Sequence, residues 1–238
     1  MGKVLANRLS RVIETLVHPD QNGFIPARNT FLNTRRLLHV IHEVSHLNGP
    51  HAAVALDIEK AFDTLGWQYL HAVMASMQFG PYYTRWIHIL YKDPQARVKI
   101  GHIFSERFAV CRGTRQGCPL SPMIFALAME PLANQLRRRA PDWGIELQEI
   151  NHIVSLYADD ALVYLRDPTS SLPDLSIFLE QFGTISGLKV NRSKTCVFPL
   201  RYVPPTLRTL TPQNQFNWEY DTFKYLGINV YHSVPDLI

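Results

Sequence analysis

Apolar residues recur at three- and four-residue intervals in several parts of the chain, which is the pattern of helices with one buried face. One such pattern begins near the N-terminus, and others follow at intervals as far as Gly187, a residue suited to the position after a helix C-terminus. The apolar positions that predict these helices are Val4, Leu5, Leu9, Val12, Ile13 and Leu16; Leu32, Leu38, Ile41, Val44 and Leu47; Trp67, Leu70, Val73, Met74 and Met77; residues 123–139; and Leu172, Leu175, Phe178, Leu179, Phe182 and Ile185.

Two apolar runs between these helices predict strands that end at acidic residues. Residues 52–56 are entirely apolar and are followed by Asp57. Residues 153–165 are largely apolar but carry Asp159 and Asp160 near their middle, which predicts a hairpin with both acids at its tip. The pattern therefore places carboxylates at strand ends in two separate parts of the chain.

The C-terminal part of the chain predicts two further strands and an irregular connection. Residues 190–198 turn and then form a strand, and residues 223–231 form the last strand. Residues 199–217 contain four prolines and predict an irregular connection. Because strands and helices alternate without a long low-complexity linker or an internal repeat, the chain is predicted to form one mixed α+β unit.

Composition agrees with a globular chain. Its 238 residues are 46% hydrophobic, which is enough for a sizeable core, yet no apolar run is long enough to cross a bilayer. The N-terminus lacks the apolar core and cleavage site of a signal peptide, so we expect an intracellular protein, nuclear or cytoplasmic, without a transmembrane segment. Cys111, Cys118 and Cys196 lack metal-ligand spacing and are expected to be reduced.

The charge balance favours a polyanionic partner. There are 24 basic and 20 acidic residues, and the isoelectric point is near 9.0. Arg137, Arg138 and Arg139 end a predicted helix, where they either complement the negative end of the helix dipole or contact nucleic-acid phosphates. Arg35 and Arg36 lie on the polar side of another helix, and that side either faces the polyanionic partner or is merely solvated.

The acidic strand ends are candidate metal ligands. An isolated Asp-Asp pair has a structural explanation, since Asp is common in turns. A second acid-ended strand changes this interpretation, because divalent cations such as Mg²⁺ bind carboxylates that converge from separate elements. Asp57 and Asp159 are the leading candidates. Asp63 opens a helical pattern, so helix capping explains that residue without a metal.

A Gly- and Pro-rich stretch at residues 112–122 lies between the two acidic strand ends. Gly113 and Gly117 would allow the backbone to approach a ligand closely, and Arg115 and Gln116 could hydrogen-bond to a phosphate or a base. The alternative is an ordinary turn that leads into a helix with proline near its start.

These motifs, in this order, resemble those of reverse transcriptases. The matching segments are Asp-Ile-Glu-Lys-Ala-Phe-Asp at 57–63, Gly-Thr-Arg-Gln-Gly-Cys-Pro-Leu-Ser-Pro at 113–122, Tyr-Ala-Asp-Asp at 157–160, Gly-Leu-Lys-Val-Asn-Arg-Ser-Lys-Thr at 187–195 and Phe-Lys-Tyr-Leu-Gly-Ile at 223–228. Together with Gln-Asn-Gly-Phe-Ile-Pro-Ala-Arg at 21–28, they are more similar to the enzymes of non-LTR (LINE-type) retrotransposons than to retroviral ones. Group II intron enzymes are the near alternative.

The resemblance implies a polymerase with a right-hand palm, whose antiparallel sheet is backed by helices. Residues 1–48 would be partial helical fingers, residues 49–200 the palm, and residues 201–238 a primer-grip-like segment of the same domain. The thumb that follows in the family would be absent. We therefore expect a remnant, a truncated gene product or a fragment of a larger retroelement protein.

The resemblance also implies the roles of individual residues. Asp57, Asp159 and Asp160 match the carboxylates that bind two Mg²⁺ ions, for which Mn²⁺ could substitute. The backbone carbonyl of Ile58 matches a further metal ligand. Lys194 matches a lysine proposed to protonate the pyrophosphate leaving group, although an exposed loop lysine is the alternative.

Residues of the nucleotide pocket and the primer grip follow in the same way. Phe62 matches an aromatic residue that selects deoxynucleotides by excluding the 2′-hydroxyl, and core packing is its alternative. Gln116 and Gly117 match residues that line the nucleotide pocket. Arg28 resembles a fingers residue that contacts the triphosphate. The primer-grip motif corresponds to Tyr225, Leu226 and Gly227.

The expected function is RNA-directed DNA polymerisation, in which deoxynucleoside triphosphates are added to a DNA primer on an RNA template. The expected partners are these nucleic acids and nucleotides, without a membrane. The alternative from another class is a catalytically inactive relic that acts at most as a nucleic-acid-binding domain. A nuclease using the same carboxylates is disfavoured, because it would not need the nucleotide-pocket residues.

Overall fold

In the computed structural model, which describes residues 1–201 and 216–232, helices and strands alternate along the chain. The helices are α1 (Gly2–Leu9), α2 (Ile13–Leu16), α3 (Thr30–Val44), α4 (Ala61–Thr64), α5 (Trp67–Ser76), α6 (Pro81–Leu90), α7 (Ser121–Arg138), α8 (Ala140–Trp143) and α9 (Pro168–Ser186). The strands are β1 (Ala52–Leu56), β2 (Gln95–Ala96), β3 (Lys99–Ile100), β4 (Ile103–Phe104), β5 (Phe108–Ala109), β6 (Ile145–Leu147), β7 (Ile150–His152), β8 (Val154–Tyr157), β9 (Asp160–Leu165), β10 (Cys196–Pro199), β11 (Asn217–Trp218), β12 (Phe223–Tyr225) and β13 (Ile228–Val230).

The central sheet has five strands in the order β11-β10-β1-β9-β8. β1 lies in the middle and pairs antiparallel with β9 on one side and with β10 on the other. β8 and β9 form an antiparallel hairpin, and β11 runs parallel to β10 at the opposite edge. Since β1 and the part of β9 after Asp160 are buried on both faces, their sequences are largely apolar instead of alternating.

Two hydrophobic cores lie on opposite faces of this sheet, because successive residues of a strand point to opposite sides. In β9, Ala161 and Val163 belong to the core that contains residues of α5, α7 and α9. Leu162 and Tyr164 belong to the core formed with α3 and the hairpin β12–β13. The predicted α+β class, a largely antiparallel sheet backed by helices, is confirmed.

The prediction of one continuous N-terminal helix with one buried face is wrong. α1 and α2 are separated by a turn at residues 10–12, and both Val4 and Val12 are exposed. The turn interrupts the helical repeat, so positions before and after it no longer share one face. The residues that do reach the core are Leu5, Leu9 and Ile13.

The buried face of α3 also differs from the predicted one. Leu32 and Leu47 are exposed, and the side chains that face inward are Asn33, Leu37, Val40, Ile41 and Val44. In α9, Ile185 is exposed, contrary to prediction. The end of α9 agrees with the prediction, because Gly187 takes the left-handed conformation with φ 82°.

Residues 223–231 form a hairpin, not the single strand that was predicted. Tyr225 pairs with Ile228, and the two residues between them have positive φ, 46° at Leu226 and 87° at Gly227. Positive φ at both central residues is the requirement of a type I′ hairpin turn. The strand predicted at 190–198 is confined to β10, and the connection predicted at 199–217 lies mostly outside the described residues.

Among the described residues, no helix is both long and apolar enough to cross a membrane. The three cysteines are free thiols, as predicted.

Candidate catalytic site

The hairpin β8–β9 carries two of the candidate carboxylates at its tip. Tyr157 pairs with Asp160, so Ala158 and Asp159 form the two-residue loop between the strands. Ala158 has φ 58°, a conformation that costs energy for any residue with a β-carbon. Asp159 is half-buried and Asp160 is exposed. Contacts from outside the hairpin must therefore hold this turn in shape.

Asp57 comes to the same edge of the sheet from the neighbouring strand. Leu56 at the end of β1 pairs with Ala161, so Asp57 lies beside Asp160 at the next position of the register. Although Asp160 is exposed at the surface, the protein around its carboxyl group displaces part of the water there, which raises the pKa of Asp160, and the negative charges of Asp159 and Asp57 raise this pKa further. The structure thus brings the three predicted carboxylates together, and their charges interact.

The backbone around Asp57 is held by the turn that precedes β10. The Asp57 N–H donates to Thr195 Oγ1 at 3.2 Å, and the Asp57 carbonyl accepts from the Asn191 N–H at 2.8 Å. Ile58 is buried and forms an isolated antiparallel bridge with Val190. These contacts fix the direction in which the chain leaves β1.

Lys194 lies in this same turn. Its N–H donates to the carbonyl and the side-chain oxygen of Asn191, both at 3.3 Å, while its side chain is exposed. The next residue, Thr195, binds the Asp57 backbone. Lys194 is therefore joined through Asn191 and Thr195 to the backbone of Asp57, and its side chain is exposed to solvent.

Gln21, to which no role was assigned from the sequence, supports the acidic turn. This residue is fully buried, and its Oε1 accepts from the N–H groups of Ala158 and Gly23, both at 2.9 Å. Its Nε2 lies 3.5 Å from the Ala158 carbonyl. The neighbouring backbone is also paired with β8, because the Leu156 carbonyl accepts from the Asn22 N–H at 2.8 Å. Gln21 therefore holds the residue with positive φ in the carboxylate turn.

Because residue 23 is a glycine, the backbone of this segment can lie directly against the backbone of the acidic turn. A β-carbon at position 23 would lie 2.1 Å from the backbone nitrogen of Ala158, a distance that no side chain could accept. The sequence signal for the contact of Gln21 and Gly23 with the acidic turn was the stretch 21–28, which resembles the family. A buried polar residue whose partner is distant in the sequence produces no hydrophobic periodicity from which it could be predicted.

Phe62 belongs to an aromatic cluster next to the acidic turn. Its ring centroid is 4.5 Å from that of Phe125 in α7 and 6.3 Å from that of Phe24. The ring of Phe24 lies in turn 6.4 Å from that of Tyr157. Phe62 is half-buried, so one side packs on the core while the other stays accessible.

The loop at 112–122 is fixed to the segment that carries Phe62. The Phe62 carbonyl accepts from the N–H of Thr114 at 2.6 Å, and a β-carbon at Gly113 would lie 2.6 Å from the Asp63 carbonyl. Gln116 Nε2 donates to the Asp63 carboxylate at 3.2 Å. Asp63 therefore binds the loop and is not the helix cap that was predicted, since α5 begins only at Trp67.

Gln116 and Gly117 are both exposed. Gly117 has φ 77°, and no atom would crowd a β-carbon there, so the glycine is required by the turn and not by a close neighbour. Together with Leu90 and Tyr91, these two residues line a cleft of about 400 Å³.

Arg28 binds backbone and not the carboxylates. Its guanidinium donates to the carbonyls of four residues at 2.7–3.2 Å, and these are Glu14, Val17, His18 and Gln21. In the described part of the chain it makes no contact with the acidic turn. This geometry favours a role in holding the segment before α3 over a role in the nucleotide site.

Tyr225 of the primer-grip motif is buried and connected to the acidic hairpin. Its hydroxyl accepts from Asn33 Nδ2 at 3.2 Å, and Asn33 Oδ1 accepts from Asn22 Nδ2. Asn22 donates its N–H to Leu156 in β8. Burial raises the pKa of the Tyr225 hydroxyl, so this group stays protonated. Leu226 and Gly227, at the turn, are more exposed.

Two arginines, for which the sequence left two roles open, form ion pairs within the molecule. Arg36 of α3 and Arg137 of α7 both bind the carboxylate of Asp20, Arg137 at 3.2 Å, and Arg137 also binds Glu130. Burial raises the pKa of Glu130, and the charge of Arg137 opposes this shift. Arg36 therefore forms an internal ion pair. Arg137 forms internal ion pairs as well and still lies in the last turn of α7, where its charge complements the helix dipole as predicted.

The carboxylates fit a divalent cation that retains other ligands. Within the described ranges, no three side chains of His, Cys, Asp and Glu are arranged as a ready-made metal cage. Mg²⁺ usually binds through one or two protein carboxylates and keeps water or substrate oxygens as its other ligands. The repulsion that raises the pKa of Asp160 is the interaction that such a cation would relieve.

Comparisons with known proteins identify the family to which the chain is similar. The family model described as "Reverse transcriptase (RNA-dependent DNA polymerase)" matches residues 1–230. The Transposon TX1 uncharacterized 149 kDa protein of Xenopus laevis is 30% identical over 96% of this chain and 17% of its own length. The Pol polyprotein of retrotransposable element R2 from Popillia japonica is 26% identical over 95% of this chain and 33% of its own length. The Pol polyprotein of element R2DM from Drosophila melanogaster is 27% identical over 96% of this chain and 22% of its own length.

Solved structures of telomerase share the fold. Apo telomerase of Candida tropicalis, truncated from the C-terminal domain, superposes with a TM-score of 0.65 at 11% identity, over 96% of this chain and 43% of that one. The telomerase of the same organism in complex with a fragment of telomeric RNA gives 0.66 at 13% identity, over 97% and 35%. The chain spans 17–33% of the length of the three transposon and retrotransposon proteins it matches.

Proposed function

This chain belongs to the reverse transcriptase family, and from that membership we propose that it is the RNA-directed DNA polymerase core of a non-LTR (LINE-type) retrotransposon protein. The reaction would transfer a nucleotide from a deoxynucleoside triphosphate to the 3′ end of a DNA primer on an RNA template. The observation that carries this proposal is the approach of Asp57, Asp159 and Asp160 at one edge of the sheet.

Reverse transcriptases generally use divalent metal ions, and we propose two Mg²⁺ ions here, with Mn²⁺ as a possible substitute. The three aspartates and the Ile58 carbonyl would hold them. When bound, such ions stabilise charge on the attacking oxygen and on the leaving group. The role of the chain is then to keep the carboxylates oriented, which is the contribution of Gln21 and of the turn around Asn191.

The neighbouring residues support a nucleotide site beside the carboxylates. The accessible side of Phe62 would lie under the sugar and exclude a 2′-hydroxyl, and its packing on Phe125 would resist displacement. Gln116 and Gly117 would line the pocket from the loop that is fixed to Asp63. The exposed side chain of Lys194, in the turn that binds the Asp57 backbone, would protonate or neutralise the leaving pyrophosphate.

The nucleic-acid partners follow from the family and from the neighbouring hairpin. The telomerase relative was solved with an RNA fragment, which supports a template made of RNA. The exposed turn at Leu226 and Gly227 would contact the primer strand, and the buried hydroxyl of Tyr225 would connect this turn to the catalytic hairpin. For Arg28, the four backbone hydrogen bonds support a structural role in place of a triphosphate contact.

The three intact carboxylates favour an enzyme over a non-catalytic nucleic-acid-binding relic. The test is primer extension on poly(rA)–oligo(dT) with Mg²⁺, comparing the chain with its Asp159→Asn variant. We expect extension to fall by about 100-fold or more, because a charged group at the reacting centre is lost. Asp174→Asn on the exposed side of α9 is the matched control and should retain activity. Equal extension by the chain and by Asp159→Asn would refute the site.

A further inference from the structure

A narrow β-ribbon projects between α6 and the loop at 112–122. Its base is the pair β2–β5 and its tip is the pair β3–β4, and neither pair joins the central sheet. The apolar side chains at the tip are unusually accessible, with Ile100 and Ile103 76% and 77% exposed. The ribbon therefore contributes little to the core, and packing within the chain does not explain it.

The segment around this ribbon carries the basic excess of the protein. Residues 92–115 contain six Lys or Arg residues and two Asp or Glu residues, so their formal charge of +4 equals that of the whole chain. The remaining residues therefore have no net charge. A positive charge concentrated on one element is typical of a surface that binds a polyanion.

A cleft of about 730 Å³ lies between the base of the ribbon, the loop and the helices behind it. Its inner wall contains Trp67 and Tyr91, whose ring centroids are 5.4 Å apart, and the indole N–H of Trp67 donates to the Gly113 carbonyl at 2.7 Å. The wall is thus rigid, aromatic and tied to the loop. A space of this size accepts a few nucleotides of one strand but is too small to enclose a duplex.

The rim of the cleft carries four cations, namely Lys92, Arg97, Arg112 and Arg115. In the described part of the chain, none of the four forms an ion pair or a side-chain hydrogen bond. The one carboxylate among the lining residues, Asp63, already accepts from Gln116. Arg97 lies over the ring of Phe104 at 4.1 Å, which holds its guanidinium in place without neutralising it.

We propose that this cleft binds the phosphodiester backbone of a single-stranded nucleic acid, namely the unpaired template ahead of the nucleotide pocket. The inference rests on the proposed function for the identity of the strand, because Arg115 directly precedes Gln116 and the cleft continues from that loop. Unpaired guanidinium groups bind phosphates, and the aromatic wall offers a surface against which bases stack.

The test is fluorescence anisotropy of a labelled single-stranded RNA of about twelve nucleotides, measured in EDTA without nucleotides so that catalysis plays no part. The variant Arg97→Gln/Arg112→Gln should bind about tenfold more weakly at 0.15 M salt, since two phosphate contacts are lost. The slope of log affinity against log salt concentration should fall by about 1.4. A DNA strand of the same sequence distinguishes recognition of RNA from recognition of the backbone alone.

Two matched variants make the result specific. Arg8→Gln/Arg11→Gln removes two exposed arginines outside the cleft and should bind nearly as tightly as the unmodified chain, and Arg97→Lys/Arg112→Lys should retain most of the affinity. Equal loss in the Arg8/Arg11 variant would overturn the proposal. No loss in the Arg97→Gln/Arg112→Gln variant would also overturn it and would indicate that the ribbon contacts a protein instead.

The two proposals fail independently. Loss of RNA binding in the cleft variant with no primer extension by the unmodified chain would refute the polymerase and retain the cleft. Primer extension that depends on Asp159, together with RNA binding that does not change on replacement of Arg97 and Arg112, would support the polymerase and refute the cleft.

Discussion

Gln21 is a single buried amide on which the geometry of the acidic turn depends. Its oxygen is the acceptor for two backbone N–H groups, one of them at Ala158, whose positive φ would relax without it. Replacing it by alanine leaves both N–H groups buried and unpaired, which costs about 1–3 kcal/mol.

We therefore expect Gln21→Ala to reduce primer extension by about tenfold or more, as is typical when a supporting hydrogen bond behind a metal ligand is lost. The measurement is the extension rate per folded molecule, with the folded fraction taken from the unfolding curve. Gln181→Ala, at an exposed position of α9, is the control and should leave the rate unchanged. Full activity in folded Gln21→Ala would show that the turn holds its shape without this support.

Asp160 gives a prediction on pH because its pKa is raised by burial and by two neighbouring carboxylates. A carboxyl group with a raised pKa favours folding below the ordinary Asp pKa, and this contribution is lost as the pH rises through its value in the folded chain. In EDTA at neutral pH, Asp160→Asn should therefore have a higher Tm than the unmodified chain, and the difference should shrink on acidification towards pH 4.

Addition of Mg²⁺ should raise the Tm of the unmodified chain, because an ion that binds the folded state stabilises it. The Tm of Asp160→Asn should rise less, and Asp174→Asn should respond as the unmodified chain does. A lower Tm for Asp160→Asn in EDTA would contradict the proposed repulsion among the three aspartates.

The three aspartates were predictable because each directly follows or interrupts an apolar run, so the sequence itself places them at strand ends. Gln21, Asn33 and Asn22 were not, since each is a buried polar residue whose partner lies far away in the chain. Such pairs leave no periodic signal. The family resemblance indicated the stretch 21–28 but assigned a role only to Arg28, and the structure uses that residue to hold backbone.

At the scale of elements, α3 illustrates how a buried polar residue misleads a hydrophobic pattern. The prediction included Leu32 and excluded Asn33, yet Asn33 faces inward and Leu32 faces solvent. Asn33 is accepted in the core because it hydrogen-bonds to Tyr225 and Asn22. The position and length of α3, α5, α7 and α9 were predicted closely, because each has several turns of regular repeat, whereas the break between α1 and α2 was missed.

The Asn33 contacts predict energetic coupling between α3 and the hairpin β12–β13. Tyr225→Phe and Asn33→Ala should each lower the free energy of unfolding by about 1–3 kcal/mol, because each leaves a buried polar group without its partner. The double variant should lose less than the sum, with a coupling energy of about 1 kcal/mol. Urea unfolding of the four forms measures it, and strict additivity would mean that the hydroxyl and the amide do not interact.

At the scale of the whole molecule, the α+β class was accessible from the sequence, since apolar runs that predict strands alternate with helical patterns. The order of the strands in the sheet was not predicted, because it depends on pairing between distant segments. The proposed division into residues 1–48, 49–200 and 201–238 stays a prediction. Several contacts join its first two parts, because Gln21 bridges to Leu156 and Asp20 binds Arg137 of α7. Such long-range polar contacts could not be read from local patterns.

Asp20 makes the connection between these parts testable. Its carboxylate binds both Arg36 and Arg137, so Asp20→Asn would leave two partly buried cations without their shared anion. Removing one partner of a buried pair costs about 3–5 kcal/mol, and partial exposure here lowers the expected loss to about 2 kcal/mol. Asp142→Asn, an exposed acid at the end of α8, should cost little and serves as the control.

If residues 1–48 and the sheet form one cooperative unit, urea unfolding of Asp20→Asn should keep a single transition at a lower midpoint, with fluorescence and circular dichroism changing together. Two separate transitions would indicate that the N-terminal helices unfold on their own. Because Gln21 directly follows Asp20, such separate unfolding would also release the carboxylate turn, so primer extension should be lost at the first transition. The stability of the N-terminal segment and the geometry of the catalytic aspartates would then be measured by the same experiment.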